Sequence, residues 1–202
     1  MKLILLTMPD FFVEEDKIIT ALFDEGLELL HLRKPAAEPI LSERLLSLIP
    51  PQYHSRIVTH DNFYLKDEYG LRGIHLNARN SHLPVSYKGH VSKSLHTIDE
   101  LKKEKRNYTY VFLSPIFNSI SKPNYPASFT LTMLKDATRH GLIDHRVMAL
   151  GGMNEQHIRA VKELGFGGAV IMGDIWSRFD IRATRDYKPL INHFKTLRQA
   201  AE

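Results

Sequence analysis

Short apolar runs recur along the whole chain, each followed by a polar turn and then a segment whose apolar positions have helical spacing. The runs predict strands at Lys2–Thr7, Leu27–Arg33, Arg56–His60, Gly73–Leu76, Val91–Leu95, Tyr110–Leu113, Arg146–Leu150 and Gly168–Met172. Several are continuously apolar rather than alternating, as in parallel sheets covered on both faces. Between them, Val13–Glu25 puts Val13, Ile18, Ala21 and Leu22 on one helical face, and Gly26 can end it. Ile40–Ile49 carries Leu41, Leu45, Leu46 and Ile49 before Pro50-Pro51 stops it. Thr97-Ile-Asp-Glu100 has the capping-box pattern and opens Ile98–Lys105. Asn154 and Gly165 bracket a helix at Glu155–Leu164, and Tyr187–Ala201 makes a last one. Pro84 makes Asn80–Tyr87 a poor helix.

Eight strands with crossovers in 202 residues predict a small (β/α)8 barrel of one domain, residues 1–202. The alternative, a doubly wound open sheet, would put a glycine-rich fingerprint after the first strand, and Met8-Pro9-Asp10 is nothing like one.

Composition narrows the partners. The chain is 43% apolar and 25% charged, which fits a globular protein and no fibre. It has no cysteine, so thiolate metal sites and a Cys nucleophile are excluded, and a cytoplasmic setting is expected. No apolar run approaches the roughly 18 residues of a bilayer span, so no membrane partner is expected. The net charge of +4 is scattered among acids rather than blocked, so it argues only weakly for nucleic acid, which is not expected as a partner, and a phosphorylated small molecule fits it equally well.

Chemistry in such barrels gathers at the C-terminal strand ends. Those ends carry His31/Arg33/Lys34, His60/Asp61, His75/Asn77/Asn80, Ser94/His96, Ser114 to Lys122, Gly151/Gly152 and Gly173/Asp174. After the strand Tyr110–Leu113, Ser119, Ser121 and Lys122 offer two hydroxyls and an ammonium to an anion. Gly151-Gly152 and Met172-Gly173 follow the last two strands, where backbone N–H groups can meet phosphate oxygens; tight βα turns are the plainer alternative. Asp174 would repel a phosphate there unless it points away. Asp61 could instead cap a helix at Asn62–Tyr69, and His82 and His157 suit surface positions.

In order and spacing, His31-Leu-Arg-Lys34, His60-Asp61, Gly73-Ile-His-Leu-Asn-Ala-Arg-Asn80, Ser94-Leu-His-Thr97, Ser114-Pro-Ile-Phe-Asn-Ser-Ile-Ser-Lys122 and Gly151-Gly-Met153 resemble the motifs of the thiamine phosphate synthase family, which includes a thiazole tautomerase branch. The resemblance covers nearly the whole chain. It implies a Mg2+-assisted transfer in which an aminopyrimidine diphosphate loses pyrophosphate and is captured by the nitrogen of a thiazole phosphate. It implies Arg33, Lys34, His60, Ser94, Ser119, Ser121 and Lys122 on the diphosphate and the facing phosphate side. Gly151, Gly152, Met172 and Gly173 would hold the thiazole phosphate, and Asp61 and Asn80 the Mg2+. A homodimer is an accompanying expectation.

The chain departs from the family pattern at five of these motif positions. His31 stands for Gln, as often in the tautomerase branch, and is a candidate catalytic residue. His60 stands for Asn. Pro35 occupies the family Lys position with Lys34 one residue early, and Asn80 stands for a metal-binding carboxylate. Pro115 stands where the tautomerase branch has its functional His, so His31 or His96 would have to serve in a metal-independent isomerase. A barrel that only binds thiamine precursors as a regulator is the third reading.

Overall fold

In the computed structural model, which describes residues 1–35, 37–118, 126–180 and 186–202, eight parallel strands close into a barrel in the order β1 to β8. They are β1 Lys2–Leu6, β2 Leu29–Leu32, β3 Ile57–Thr59, β4 Gly73–Leu76, β5 His90–Leu95, β6 Tyr110–Leu113, β7 Val147–Leu150 and β8 Gly168–Ile171. β1 closes on β8 through pairs running from Lys2 with Gly168 to Leu5 with Ile171.

Alternation along each strand decides what goes where. Leu3 and Leu5, Leu30 and Leu32, Val111 and Leu113 point outward into the large core under the helices. Ile4, Leu6, Leu29, Val58, Tyr110, Phe112, Met148 and Val170 fill the barrel interior. The same inward register brings His31, His60, His75 and Ser92 inside, all buried. The polar interior side chains therefore come from β2 to β5, where Leu29 and Val58 add apolar ones, and β6 to β1 supply the rest of the apolar filling. The continuous apolar runs of the sequence are these two-sided strands.

The helices are α1 Glu15–Asp24, α2 Pro39–Leu48, α3 Leu65–Glu68, α4 Ile98–Glu104, α5 Leu131–Arg139, α6 Glu155–Glu163, α7 Gly173–Trp176 and α8 Lys188–Ala201. The Thr97–Glu100 capping box forms in both directions, and Asn154 caps α6 by accepting from the His157 N–H. Gly26 and Gly165 end α1 and α6 at φ +94° and +84°. Residues 77–89 between β4 and β5 form turns, as Pro84 led one to expect. Differences from the sequence reading lie at the helix starts. Val13, placed on the buried face of α1, is exposed because the helix begins two residues later, and Leu41 is exposed on α2. α5 was not anticipated; Thr130 caps it, and Leu134 and Ala137 bury its face. No helix among the described residues is long and apolar enough to cross a membrane.

Candidate active site

The C-terminal mouth of the barrel holds a cavity of about 290 Å³, the size class of a small-molecule site. Arg33, His60, Arg79 and Ser94 line one side; Gly151, Gly152, Met172 and Gly173 line the other. Phe112, Leu6 and Leu150 form its floor between them, and His96 and Ser114 its rim at β5 and β6. Strand register does this work: residues one step past the paired part of each strand sit where the barrel opens.

The Gly-Gly turn is required by packing. Gly151 and Gly152 have φ +107° and +63°, which L side chains rarely adopt. A Cβ on Gly151 would lie 2.9 Å from Pro115 Cα, and one on Gly152 would lie 2.3 Å from the Asn118 carbonyl oxygen. The loop after β6 thus lies directly on this turn, tied by Ile116 N–H to Leu150 O (2.9 Å) and Phe117 N–H to Gly151 O (3.2 Å). Phe117 stacks on His157 at 3.8 Å, and His157 Nδ1 bonds the Gly152 carbonyl at 2.6 Å. His157, assigned to the surface from sequence, therefore props the glycine turn. Ser119, Ser121 and Lys122 lie outside the described residues.

Asp174 resolves its own difficulty by turning away from the cavity. Its carboxylate is buried against His193 Nε2 at 2.5 Å, with Arg178 at 3.7 Å. Met172 and Gly173 of the β8 turn line the mouth.

On the opposite wall Asp61 is a hub. Its Oδ1 accepts from Asn80 Nδ2 at 2.9 Å and Arg79 Nη2 at 3.2 Å, and its Oδ2 from the Lys34 N–H at 3.3 Å. Asn80 Nδ2 also donates to the His60 carbonyl. Asp61 is no helix cap, since α3 begins only at Leu65. Burial and the neighbouring Arg79 pull the Arg33 guanidinium below its usual value, yet an arginine so shifted stays charged at neutral pH. Arg33 and Arg79 thus bring two cations to one wall. Arg79 was not assigned a role from sequence; the one signal available was its place in the loop after β4.

Lys34, expected on the diphosphate, is committed elsewhere. Its Nζ lies 2.6 and 2.7 Å from the Glu15 carboxylate oxygens, donates to the Asp10 carbonyl at 2.8 Å and sits over the Phe11 ring. The side chain is 1% exposed and points out of the barrel beneath α1. The physical reason is alternation: Arg33 faces the mouth, so its neighbour faces the helices.

His31 is likewise not on the cavity wall. It is fully buried beneath His60, with Nδ1 2.8 Å from His60 Nε2 and Nε2 2.5 Å from the Tyr110 hydroxyl. His75 bridges Ser92 and Ser94, each at 2.8 Å. Burial, reinforced by neighbouring positive groups, holds His31 and His60 well below the usual imidazole range and brings His75 down to about 3. Burial pushes the Tyr110 phenol up. All four groups are neutral near pH 7. His96, in contrast, is at the cavity rim, with Nδ1 3.0 Å from the Ser114 carbonyl, beside Pro115.

Comparison with known proteins fits this geometry. Residues 5–175 match the family described as thiamine monophosphate synthase. The crystal structure of a thiamine phosphate pyrophosphorylase from Bacteroides thetaiotaomicron superposes with a TM-score of 0.93 at 53% identity, over 100% of this chain and 98% of that one. A Pyrococcus furiosus thiamine phosphate pyrophosphorylase shares the fold at TM-score 0.74 and 16% identity, over 99% of this chain and 95% of that one. Among curated relatives, the thiamine-phosphate synthase of Nitrosococcus oceani is 26% identical over 145 residues, which are 68% of this chain and 65% of that protein. That of Serratia proteamaculans is 25% identical over 182 residues, 85% of this chain and 84% of that protein. The matched part thus spans just under two thirds of the Nitrosococcus relative. With a family match over most of its length and a 53% identical structure over all of it, the chain belongs to the thiamine monophosphate synthase family.

Proposed function

We propose that this chain joins an aminopyrimidine diphosphate to a thiazole phosphate and releases pyrophosphate. The observation that carries the reading is the division of one cavity into two anion-accepting walls. Arg33, Arg79 and the Ser94 hydroxyl stand on one, and the N–H-bearing turns at Gly151-Gly152 and Met172-Gly173 on the other. A substrate pair with a diphosphate at one end and a monophosphate at the other fits that division.

The chemistry follows from it. The bond between the pyrimidine methylene carbon and the diphosphate oxygen breaks, and its electron pair leaves with pyrophosphate. The two guanidinium groups and the Ser94 O–H stabilise the charge that grows on the departing oxygens. The thiazole nitrogen, held by its phosphate at the glycine turns, gives its lone pair to the methylene carbon and forms the new C–N bond. Phe112 at the floor keeps bulk water from the same carbon. Lys122, Ser119 and Ser121 belong to this reading as further anion contacts.

Mg2+ is part of the proposal. Asp61 and Asn80 adjoin at 2.9 Å beside Arg79 and offer the hard oxygen atoms that Mg2+ takes. One carboxylate and one amide fit the ion with less charge than two carboxylates would, and the amide must turn its oxygen toward Asp61's side. Mg2+ bound there would add positive charge at the diphosphate. Cytoplasmic residence and a homodimer belong to the same reading and are checked by fractionation and light scattering.

The test is to mix both substrates with millimolar Mg2+ and measure pyrophosphate, with and without EDTA. Release that EDTA abolishes is expected. No release at millimolar Mg2+ sinks the proposal. Thermal stabilisation by thiazole phosphate without turnover would leave the binding-only role, and metal-independent isomerisation would transfer attention to His96.

A further inference from the structure

Asp174 follows directly on Gly173, a residue of the cavity wall, yet it takes no part in that wall. Consecutive Cα atoms are about 3.8 Å apart, so the direction of the Asp174 side chain is what keeps a negative charge out of the site. That direction is set from α8. His193 Nε2 lies 2.5 Å from Asp174 Oδ2, and because a carboxylate only accepts, the proton of this bond sits on Nε2. The nearby cation, Arg178, is 3.7 Å from Oδ1, too far for a hydrogen bond. Its side chain is 51% exposed, so solvent screens its pull. Among the described residues, His193 is thus the one hydrogen-bond donor to this carboxylate.

The two helices do not depend on that bond for their places. α7 is tied to the end of β1 by the Trp176 indole, whose N–H donates to the Leu6 carbonyl at 2.8 Å, and Ile175 and Trp176 are buried. α8 is seated by Leu190, Ile191, Phe194 and Leu197, all buried, and the Met1 ammonium donates to the Ala201 carbonyl at 2.7 Å. The His193 side chain, 18% exposed, sits at the margin of this packing. Apolar contacts therefore fix both helices, and the histidine bond decides one thing more, which is where the Asp174 carboxylate points.

We propose that His193 is a positioning residue for the monophosphate end of the cavity: it holds Asp174 turned away, so that a phosphate beside Gly173 meets no facing negative charge. His193 itself touches no substrate. The inference rests on the function proposed above for one point, the seating of a phosphate at the Gly151-Gly152 and Met172-Gly173 turns. Without the Nε2–H, the carboxylate is left buried and lacks a donor, which is costly, and it turns toward water. The cavity beside Gly173 lies one residue away. A carboxylate there repels a phosphate and leaves an uncharged ligand of the same shape unaffected. His193 thus sets the preference of this end for a phosphate ester over the corresponding alcohol.

Calorimetric binding to the whole protein tests this, with thiazole phosphate, inorganic phosphate and the thiazole alcohol that lacks the phosphate as probes. His193→Leu should weaken both phosphate probes by roughly 3- to 30-fold and leave the alcohol unchanged. His193→Gln keeps an N–H donor and should bind as the native protein does. The decisive variant combines His193→Leu with Asp174→Asn: it removes the charge without restoring the bond, and phosphate affinity should return. A double variant as weak as His193→Leu, or alcohol binding that falls in step with phosphate binding, would assign His193 a merely structural role and overturn the proposal. Unchanged phosphate affinity in His193→Leu would do the same. Should His193→Leu not fold, Asp174→Asn alone carries the test. With the native carboxylate held away, its phosphate affinity should stay within about twofold of native, and a gain of about tenfold would overturn the proposal. Native protein that binds the phosphate probes but releases no pyrophosphate counts against the function alone. Native protein that binds neither phosphate probe overturns both.

Discussion

Asn80 donates its amide to the Asp61 carboxylate across 2.9 Å, at the edge of the cavity wall that carries both arginines. The amide holds Asp61 without adding charge, and under the proposed function the two residues would share the Mg2+ site. Asn80→Asp would set two carboxylates side by side. Like charges this close repel until a cation joins them. The variant is expected to melt below the native protein in EDTA and to gain more from Mg2+, with roughly tenfold tighter Mg2+ binding, about 1.4 kcal/mol. Thermal melts across a Mg2+ titration check this; equal Mg2+ responses would remove Asn80 from the metal site.

Gly152→Ala places a methyl 2.3 Å from the Asn118 oxygen at φ +63°. Backbone cannot move aside as a flexible side chain would. The loss of stability should be about 1–3 kcal/mol, with weaker binding of the monophosphate substrate as the turn shifts. Gly141→Ala is the control, since it has a similar φ of +68° and open space around it. A smaller loss there isolates the steric part.

The Lys34–Glu15 pair gives a pH signature. Burial raises Glu15 from 4.5 to about 7 against the pull of Lys34. A carboxyl that holds its proton more tightly when folded favours folding below pH 4.5, and that favour is lost as pH rises through about 7. The buried histidines act in the opposite sense: neutral inside, they cost stability as pH falls below 6.5 and the unfolded chain takes up protons. The native curve therefore mixes both, and the difference from Glu15→Gln isolates the carboxyl. That difference should change by up to a few kcal/mol between pH 4.5 and 8. A pH-independent difference would mean Glu15 is not raised. Lys34→Ala should destabilise more at pH 8 than at pH 4.5, because without the ammonium the buried Glu15 must take up a proton to stay inside.

Arg33→Ala and Ser94→Ala test the diphosphate wall. Each removes a donor to a charged oxygen, worth about 1.5–3 kcal/mol, so kcat/KM should fall roughly 10- to 150-fold per change. Ser94→Ala should act mainly on kcat if its bond tightens as pyrophosphate leaves. A fall confined to KM would instead assign Ser94 to binding alone.

Much of the architecture was legible because it rests on local rules. Period-two burial, the Thr97–Glu100 box, the Asn154 cap and the glycines after α1 and α6 each depend on a few neighbouring residues, so the chain alone determined eight strands, most helices and the barrel class. It also determined which side chains stand at strand ends, and hence the cavity-lining group of Arg33, His60, Ser94, Gly151, Gly152, Met172 and Gly173. What it could not determine is which partners those side chains meet. Alternation turns Lys34 to the helix side of Arg33, but only the fold brings Glu15, nineteen residues earlier, to meet it there. Arg79 enters the wall through Asp61, and His157 supports Gly152 from a separate helix. His31 lies beneath His60 because its inward side chain, two residues before Arg33 on β2, meets Tyr110 of β6 across the barrel. Those contacts join strands and helices far apart in sequence. Only closure of the sheet brings them within hydrogen-bonding distance, and so only the tertiary structure decided which polar residues face a ligand and which serve one another.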